Sequence, residues 1–125
     1  MSKLAVTTFA DLKEATLRHL DDADQVAESA LRYLASPVKR GLYAAKIEEA
    51  RRTEGPRPLL DAEAAARGEP VEVIVARVVD QRKKYDAKCA KIESARIKAR
   101  ADIRAAGSAA KQKRIVNRLA ADLLS

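Results

Sequence analysis

Apolar side chains recur at alternating spacings of four and three residues through the middle of the chain, a pattern typical of one face of an α-helix. The pattern runs from Pro70 to Ala106, and no glycine or proline interrupts it after Pro70. It predicts one continuous helix of roughly 50 Å, at about 1.5 Å per residue. We define the seam as the positions of this face that we expect to meet a partner surface: Val71, Val75, Val78, Arg82, Tyr85, Cys89, Ile92, Arg96 and Ile103.

A helix of this length cannot bury its seam alone. Either shorter helices of the same chain fold back along it, or identical copies supply the partner surface, as in a coiled coil. Arg82 and Arg96 interrupt the apolar character of the seam. Two interpretations are open. Both arginines fix the register and oligomeric state of the seam, or the apolar face drifts by about 20° per heptad around a straight helix, so that both side chains reach solvent.

Shorter amphipathic helices are predicted before the long one. The first begins after Thr8, which is placed to cap it together with Asp11, and runs to about Ala35. Its apolar stripe is predicted to comprise Phe9, Leu12, Thr16, Leu20, Ala23, Ala27, Ala30 and Leu34.

A second helix starts at Ser36-Pro37, with a kink or a late start possible at Gly41, and ends before the breaker at residues 54–58.

Glycines delimit the remaining elements. Residues 59–67 are predicted to form a short helix closed by Gly68, which suits a left-handed cap. Ser108 is placed to cap a last helix, and Gly107 is either a turn or a soft point in one continuous rod. The last helix carries a stripe of Gln112, Ile115, Val116, Leu119, Leu123 and Leu124.

The chain is therefore expected to be all-α, with a long amphipathic helix and shorter helices packed on it as a coiled-coil-like assembly or helical bundle. Its 47% hydrophobic residues include much alanine, one Phe, three Tyr and no Trp, so the core is expected to be thin and completed by homo-oligomerisation. We expect a single domain, in which a short arm (1–7) and N-terminal helices (8–53) precede a linker (54–58) and the remaining helices (59–125).

The formal charge of +7 is unevenly distributed. Arg82 to Arg118 holds thirteen basic and three acidic side chains, whereas Met1 to Gln81 is nearly balanced. Such a stripe is expected to contact an acidic protein surface or nucleic acid, or to be solvated. We define the basic docking face as Lys83, Lys84, Lys88, Lys91, Lys98, Arg100, Arg104, Lys111, Lys113, Arg114 and Arg118.

An acidic cluster lies on the first helix at Asp21, Asp22, Asp24 and Glu28. It is expected either to face the basic half of the same or a neighbouring copy or to be solvated.

The sequence offers little for catalysis, cofactors or metals. The single histidine, His19, is read as lying on an acidic helix face, and the single cysteine, Cys89, belongs to the seam and excludes an internal disulfide. No glycine-rich phosphate loop, CxxC pair or nucleophile elbow is present. We expect no enzymatic activity, no cofactor and no metal site.

Nucleic acid is a weaker candidate for a partner than protein, and no membrane partner is expected. Tyr85 is the only aromatic residue in the basic half, whereas stacking of successive bases uses several aromatic side chains. No apolar run approaches the roughly 20 residues that span a bilayer. The start, MSKLAVTTF, is too short and polar for a signal peptide, so a reducing, soluble compartment is expected.

Three consecutive motifs follow one another between residues 42 and 106. The first is an aromatic residue, two small residues, a lysine and then Glu-Ala; the second is a leucine- and alanine-rich helix ending in Arg-Gly; the third is a branched aliphatic run with a late aromatic residue. The residues that carry them are Tyr43, Lys46, Glu49, Ala50, then Leu59, Leu60, Ala64, Arg67, Gly68, then Val71, Val75, Val78 and Tyr85.

This succession resembles the helical C-terminal module of small bacteriophage tail proteins and tail-fibre assembly proteins. The resemblance implies a non-enzymatic structural or assembly protein of a tailed phage, made in the host cytoplasm and present in the virion tail, with itself and other tail proteins as partners. The long helix is more basic than that family's. The alternatives are a basic helical protein that binds nucleic acid non-specifically and a tail assembly chaperone absent from the mature particle.

Overall fold

Residues 8–125 are described by a computed structural model, and the arm expected over residues 1–7 lies outside the described residues. The described part is helical without a strand, which confirms the all-α prediction. Its helices are α1 (Phe9–Leu34), α2 (Pro37–Ala50), α3 (Pro58–Arg67), α4 (Val71–Ala105) and α5 (Ala109–Leu124).

Hydroxyl caps fix the starts of three helices, as the sequence predicts. At α1, the Asp11 amide donates to Thr8 Oγ1 at 3.1 Å, and the Thr8 amide donates to Asp11 Oδ2 at 3.4 Å. Ser36 Oγ accepts from the Lys39 amide, and Ser108 Oγ accepts from the Lys111 amide, both at 3.2 Å. Each cap satisfies a backbone donor that the first helical turn leaves unpaired.

Local breakers fix the other boundaries. Gly68 follows α3 with φ 67°, the left-handed conformation expected for a helix cap. The helix α2 starts at Pro37 and continues through Gly41, so the late start considered for it is wrong. At Gly107 the chain leaves the helix, because α4 ends at Ala105 and α5 begins under the Ser108 cap.

Two compact units make up the described chain. The first unit contains residues 8–33 and 91–125, and the second unit contains residues 34–90. The helix α4 contributes its first twenty residues to the second unit and the remainder to the first. The predicted linker at 54–58 lies inside the second unit, in the connection between α2 and α3.

Three helices build the core of the first unit. Leu20 and Ala23 come from α1, and the C-terminal part of α4 and the stripe on α5 supply the rest. Ile103 is completely buried, and Val116 and Leu119 of the predicted α5 stripe are buried with it. The α1 stripe is predicted to include Phe9, but this side chain, at the first residue of the helix, is 86% exposed. The buried cluster consists of Leu20, Ala23, Ala99, Ile103, Val116 and Leu119.

The core of the second unit joins α2, α3 and the start of α4. Its members are Ile47, Leu60, Ala64, Ile74 and Val78. Ile74 is completely buried, although the four-three spacing that defines the seam does not include it. The run from Val71 to Val79 is apolar on several faces of the helix, so the spacing of its residues does not determine which face is buried.

The seam lies on the covered face of α4 along its whole length. Val78, Ile92 and Ile103 are buried, and the other members are half-buried: Val71, Val75, Arg82, Tyr85, Cys89 and Arg96. Within a single chain, therefore, no seam position is fully exposed to solvent.

Candidate functional site

The basic docking face is exposed at all but one of its positions. In the second unit these positions are Lys83, Lys84 and Lys88. In the first unit they are Lys91, Lys98, Arg104, Lys111, Lys113, Arg114 and Arg118. The exception is Arg100, which is half-buried and points toward α1. Two of the exposed lysines have intrahelical partners, since Lys84 pairs with Asp80 and Lys98 with Asp102.

Asp24 binds the two half-buried arginines of the first unit. Its carboxylate accepts from Arg96 Nη1 at 3.0 Å and from Arg100 Nη1 at 2.7 Å. Arg96 also donates to Glu93, and these two carboxylates, Glu93 before Asp24, raise the pKa of the guanidinium. For Asp24, the expectation that the acidic cluster faces the basic half of the chain is confirmed. Arg96 therefore has charged partners inside the chain.

Removing this bridge has a small, salt-dependent cost. We expect Asp24→Asn to lower the free energy of unfolding by about 0.5 to 1 kcal/mol, because the carboxylate is 43% exposed and solvent screens its attraction to both arginines. Urea titrations followed by circular dichroism at low and high salt measure the loss and its decrease with salt.

Asp22→Asn is the matched control, because it removes the same charge from the same helix without breaking an ion pair among the described residues. Equal losses in the two variants would contradict a specific role for Asp24.

The outward side of α5 carries cations that have no charged partner among the described residues. Lys111, Arg114 and Arg118 follow a three-four spacing and lie away from the buried Gln112, Val116 and Leu119. All three are exposed, and no ion pair joins them to any residue between 8 and 125. The positive charge of this surface is therefore not offset by carboxylates in that range.

A buried polar group ties α1 to α5 in the first unit. His19 is 5% exposed, so its expected position on an acidic helix face is wrong. His19 Nδ1 lies 2.7 Å from Gln112 Oε1, which can only accept, so this nitrogen carries the proton. Gln112 Nε2 donates to Thr16 Oγ1 at 2.7 Å and to the Ile103 carbonyl at 3.3 Å. These bonds satisfy Gln112, which is completely buried, and give it a structural role.

Two contacts of the second unit are not predicted from the sequence. Glu49 is buried, and its Oε1 accepts from the Leu59 and Leu60 amides at 2.9 and 3.1 Å, so a side chain of α2 caps α3. The N-cap residue of α3, Arg57, supplies no side-chain hydrogen bond of its own. Tyr43 and Tyr85 form an edge-to-face pair with ring centroids 5.8 Å apart.

Between residues 8 and 125, no three His, Cys, Asp or Glu side chains come together in a way that would hold a metal ion. No helix in this range is both long and apolar enough to cross a bilayer.

Comparison of the chain with models of known families, with curated proteins and with solved structures finds no match. The likeness of residues 42–106 to phage tail modules remains a hypothesis that rests on the motif residues.

Proposed function

We propose that this chain is a non-enzymatic assembly protein that docks through exposed cations of its first unit on an acidic surface of another protein. The observation that carries the proposal is the division of the basic residues into two groups. Arg96 and Arg100 pair with Asp24 inside the unit, and Arg96 pairs also with Glu93. Lys111, Arg114 and Arg118, by contrast, face solvent without a charged partner among the described residues. Complementary charge speeds encounter and selects the partner.

The tail of a bacteriophage is the proposed setting, and another tail protein is the proposed partner. The support is the motif succession of residues 42–106, in which the aromatic-lysine helix, the Arg-Gly terminus and the aliphatic run occur in order. These motifs occupy α2, α3 and the start of α4. A virion component would be retained in purified particles, whereas an assembly chaperone would be lost from them.

Self-association is a separate part of the proposal. The seam on α4 is already covered within one chain, so it gives less reason to expect self-association through that face. Apolar side chains on α1 are nevertheless open to solvent, and Leu17 is 63% exposed. Light scattering at micromolar concentration tests this part. A particle of 13.6 kDa would show that the folded chain is a monomer and would remove self-association from the proposal.

Non-specific binding to nucleic acid is the competing function, because the same cations suit a phosphate backbone. The helix α5 carries no aromatic residue for base stacking, which favours a protein partner. Fluorescence anisotropy with a labelled DNA duplex separates the two. We expect dissociation constants above about 1 μM at physiological salt. Nanomolar affinity that falls steeply with salt would overturn the protein-docking proposal.

The positive test uses charge reversal in particles that contain the chain. We expect K111E/R114E/R118E to lower incorporation of the chain into purified particles at least about tenfold, measured by quantitative mass spectrometry. The matched control, K13E/R18E/R51E, reverses three exposed cations elsewhere and should leave incorporation unchanged. Equal incorporation of both variants would contradict the proposed surface, and absence of the wild-type chain from particles would favour the chaperone alternative.

A further inference from the structure

A pocket of about 250 Å³ opens in the second unit, separate from the cations of α5. Side chains of α2 and of the adjoining part of α4 form most of its wall, and Leu34 and Val78 contribute apolar surface. Its volume lies just below the roughly 300 to 1,000 Å³ of typical ligand pockets and suits a small aromatic molecule of two or three rings.

Two tyrosines give the pocket an aromatic wall. Tyr43 and Tyr85 both line it, and their rings meet at an interplanar angle of 73°. Burial, followed by contact with the Cys89 thiol, raises the pKa of the Tyr85 hydroxyl. The ring thus stays neutral at physiological pH, and flat apolar groups pack favourably against such faces and edges.

Four cations and the neutral Gln81 supply the rest of the wall, and no acidic side chain joins them there. Three of the four have a carboxylate partner outside the lining. Lys46 Nζ lies 2.7 Å from Glu63 and Lys84 Nζ lies 3.1 Å from Asp80. Arg82 Nε lies 2.9 Å from Asp86, although this nitrogen makes no hydrogen bond. The hydrogen bond from Lys46 is the largest cause that lowers the pKa of Glu63, so this partner stays ionised and continues to hold Lys46.

Lys88 differs from the other three cations. It is exposed, it lines the pocket, and no ion pair joins it to any residue in the described range 8–125. Its charge is therefore the one most available to a ligand, one helical turn beyond Lys84 and beside Tyr85.

We propose that this pocket binds a small organic anion with a flat apolar body, whose charged group pairs with Lys88 and whose body packs against Tyr43 and Tyr85. Neither feature alone defines the ligand. A bare inorganic anion leaves the aromatic wall unused, and a neutral ring system leaves Lys88 without a partner. The site goes beyond the proposed docking function and uses different residues.

The test compares two probes that differ by one charge. The first is 8-anilinonaphthalene-1-sulfonate, and the second, N-phenyl-1-naphthylamine, has the same rings without the sulfonate. We expect the folded wild-type chain to bind one sulfonate probe per chain, by fluorescence titration, and to bind the neutral probe at least about tenfold more weakly.

Variants assign the binding to the pocket. Lys88→Glu should weaken the sulfonate probe at least about tenfold and leave the neutral probe unchanged. Lys83→Glu is the matched control, because Lys83 is exposed on the same helix, does not line the pocket and also has no ion-pair partner among the described residues. Unchanged circular dichroism and urea midpoints establish that both variants fold.

Three outcomes would overturn the proposal. The first is equal weakening by the Lys83 and Lys88 variants, and the second is sulfonate-probe binding that is insensitive to Lys88→Glu. The third is displacement of the sulfonate probe by inorganic phosphate at equal concentrations, which would show that the aromatic wall contributes nothing.

Discussion

Replacing Ile103 by alanine is expected to lower the free energy of unfolding by about 3 to 4 kcal/mol. The side chain is completely buried where α1, α4 and α5 meet, and its loss leaves a cavity beside Leu20, Val116 and Leu119. Two of its five buried neighbours are alanines, Ala23 and Ala99, whose short side chains cannot move into the space. A small core of this kind is expected to relax little around the missing atoms.

Urea unfolding followed by circular dichroism at 222 nm measures the loss. The control is Ile97→Ala, which removes the same atoms from a position on α4 that is 57% exposed, and it should cost less than about 0.5 kcal/mol. Similar losses at the two positions would show that Ile103 does not occupy the core described above.

Replacing Glu49 by alanine is expected to lower the free energy of unfolding by about 2 to 3 kcal/mol. The change removes the acceptor for the Leu59 and Leu60 amides at the start of α3. Leu60 is completely buried, so water cannot readily take the place of the lost carboxylate. The cost therefore arises mainly from buried donors left without a partner.

Two further variants make this result specific. Glu49→Gln keeps an acceptor oxygen and should recover most of the loss, whereas Glu48→Ala removes an exposed neighbour on the same helix and should cost less than about 0.5 kcal/mol. Hydrogen exchange of the Leu59 and Leu60 amides should accelerate in Glu49→Ala but not in Glu48→Ala. Equal effects of the alanine changes at positions 48 and 49 would contradict the capping role.

The helix boundaries were predictable because their causes are local. Thr8, Ser36 and Ser108 each cap a helix through an amide three residues later, and Gly68 stops α3 through its own backbone conformation. None of these signals depends on the rest of the fold.

Contacts between segments distant in sequence could not be predicted in this way, because no local signal specifies them. The Glu49 side chain binds amides ten and eleven residues later, in the next helix. The hydrogen bond from His19 to Gln112 joins residues 93 apart. The acidic cluster indicated a charged partner in the basic half of the chain, but only packing selects Arg96 and Arg100 for Asp24.

The candidate sites were predictable to a similar extent. Charge counting finds the cations of α5 because exposed lysines and arginines lie opposite an apolar stripe. The same counting includes Arg100, which packing turns inward. The aromatic wall of the pocket was missed because Tyr43 lies far from Tyr85 in sequence and meets it only through the approach of α2 to α4.

The interleaving of the two units along the chain has a consequence for synthesis on the ribosome. The second unit occupies one continuous segment, so all its helices have been made once residue 90 has been translated. The first unit needs α1 from one side of that segment and α5 from the other. We therefore expect the second unit to be complete before the first, and the apolar face of α1 to stay uncovered until the last helix, α5, has been made.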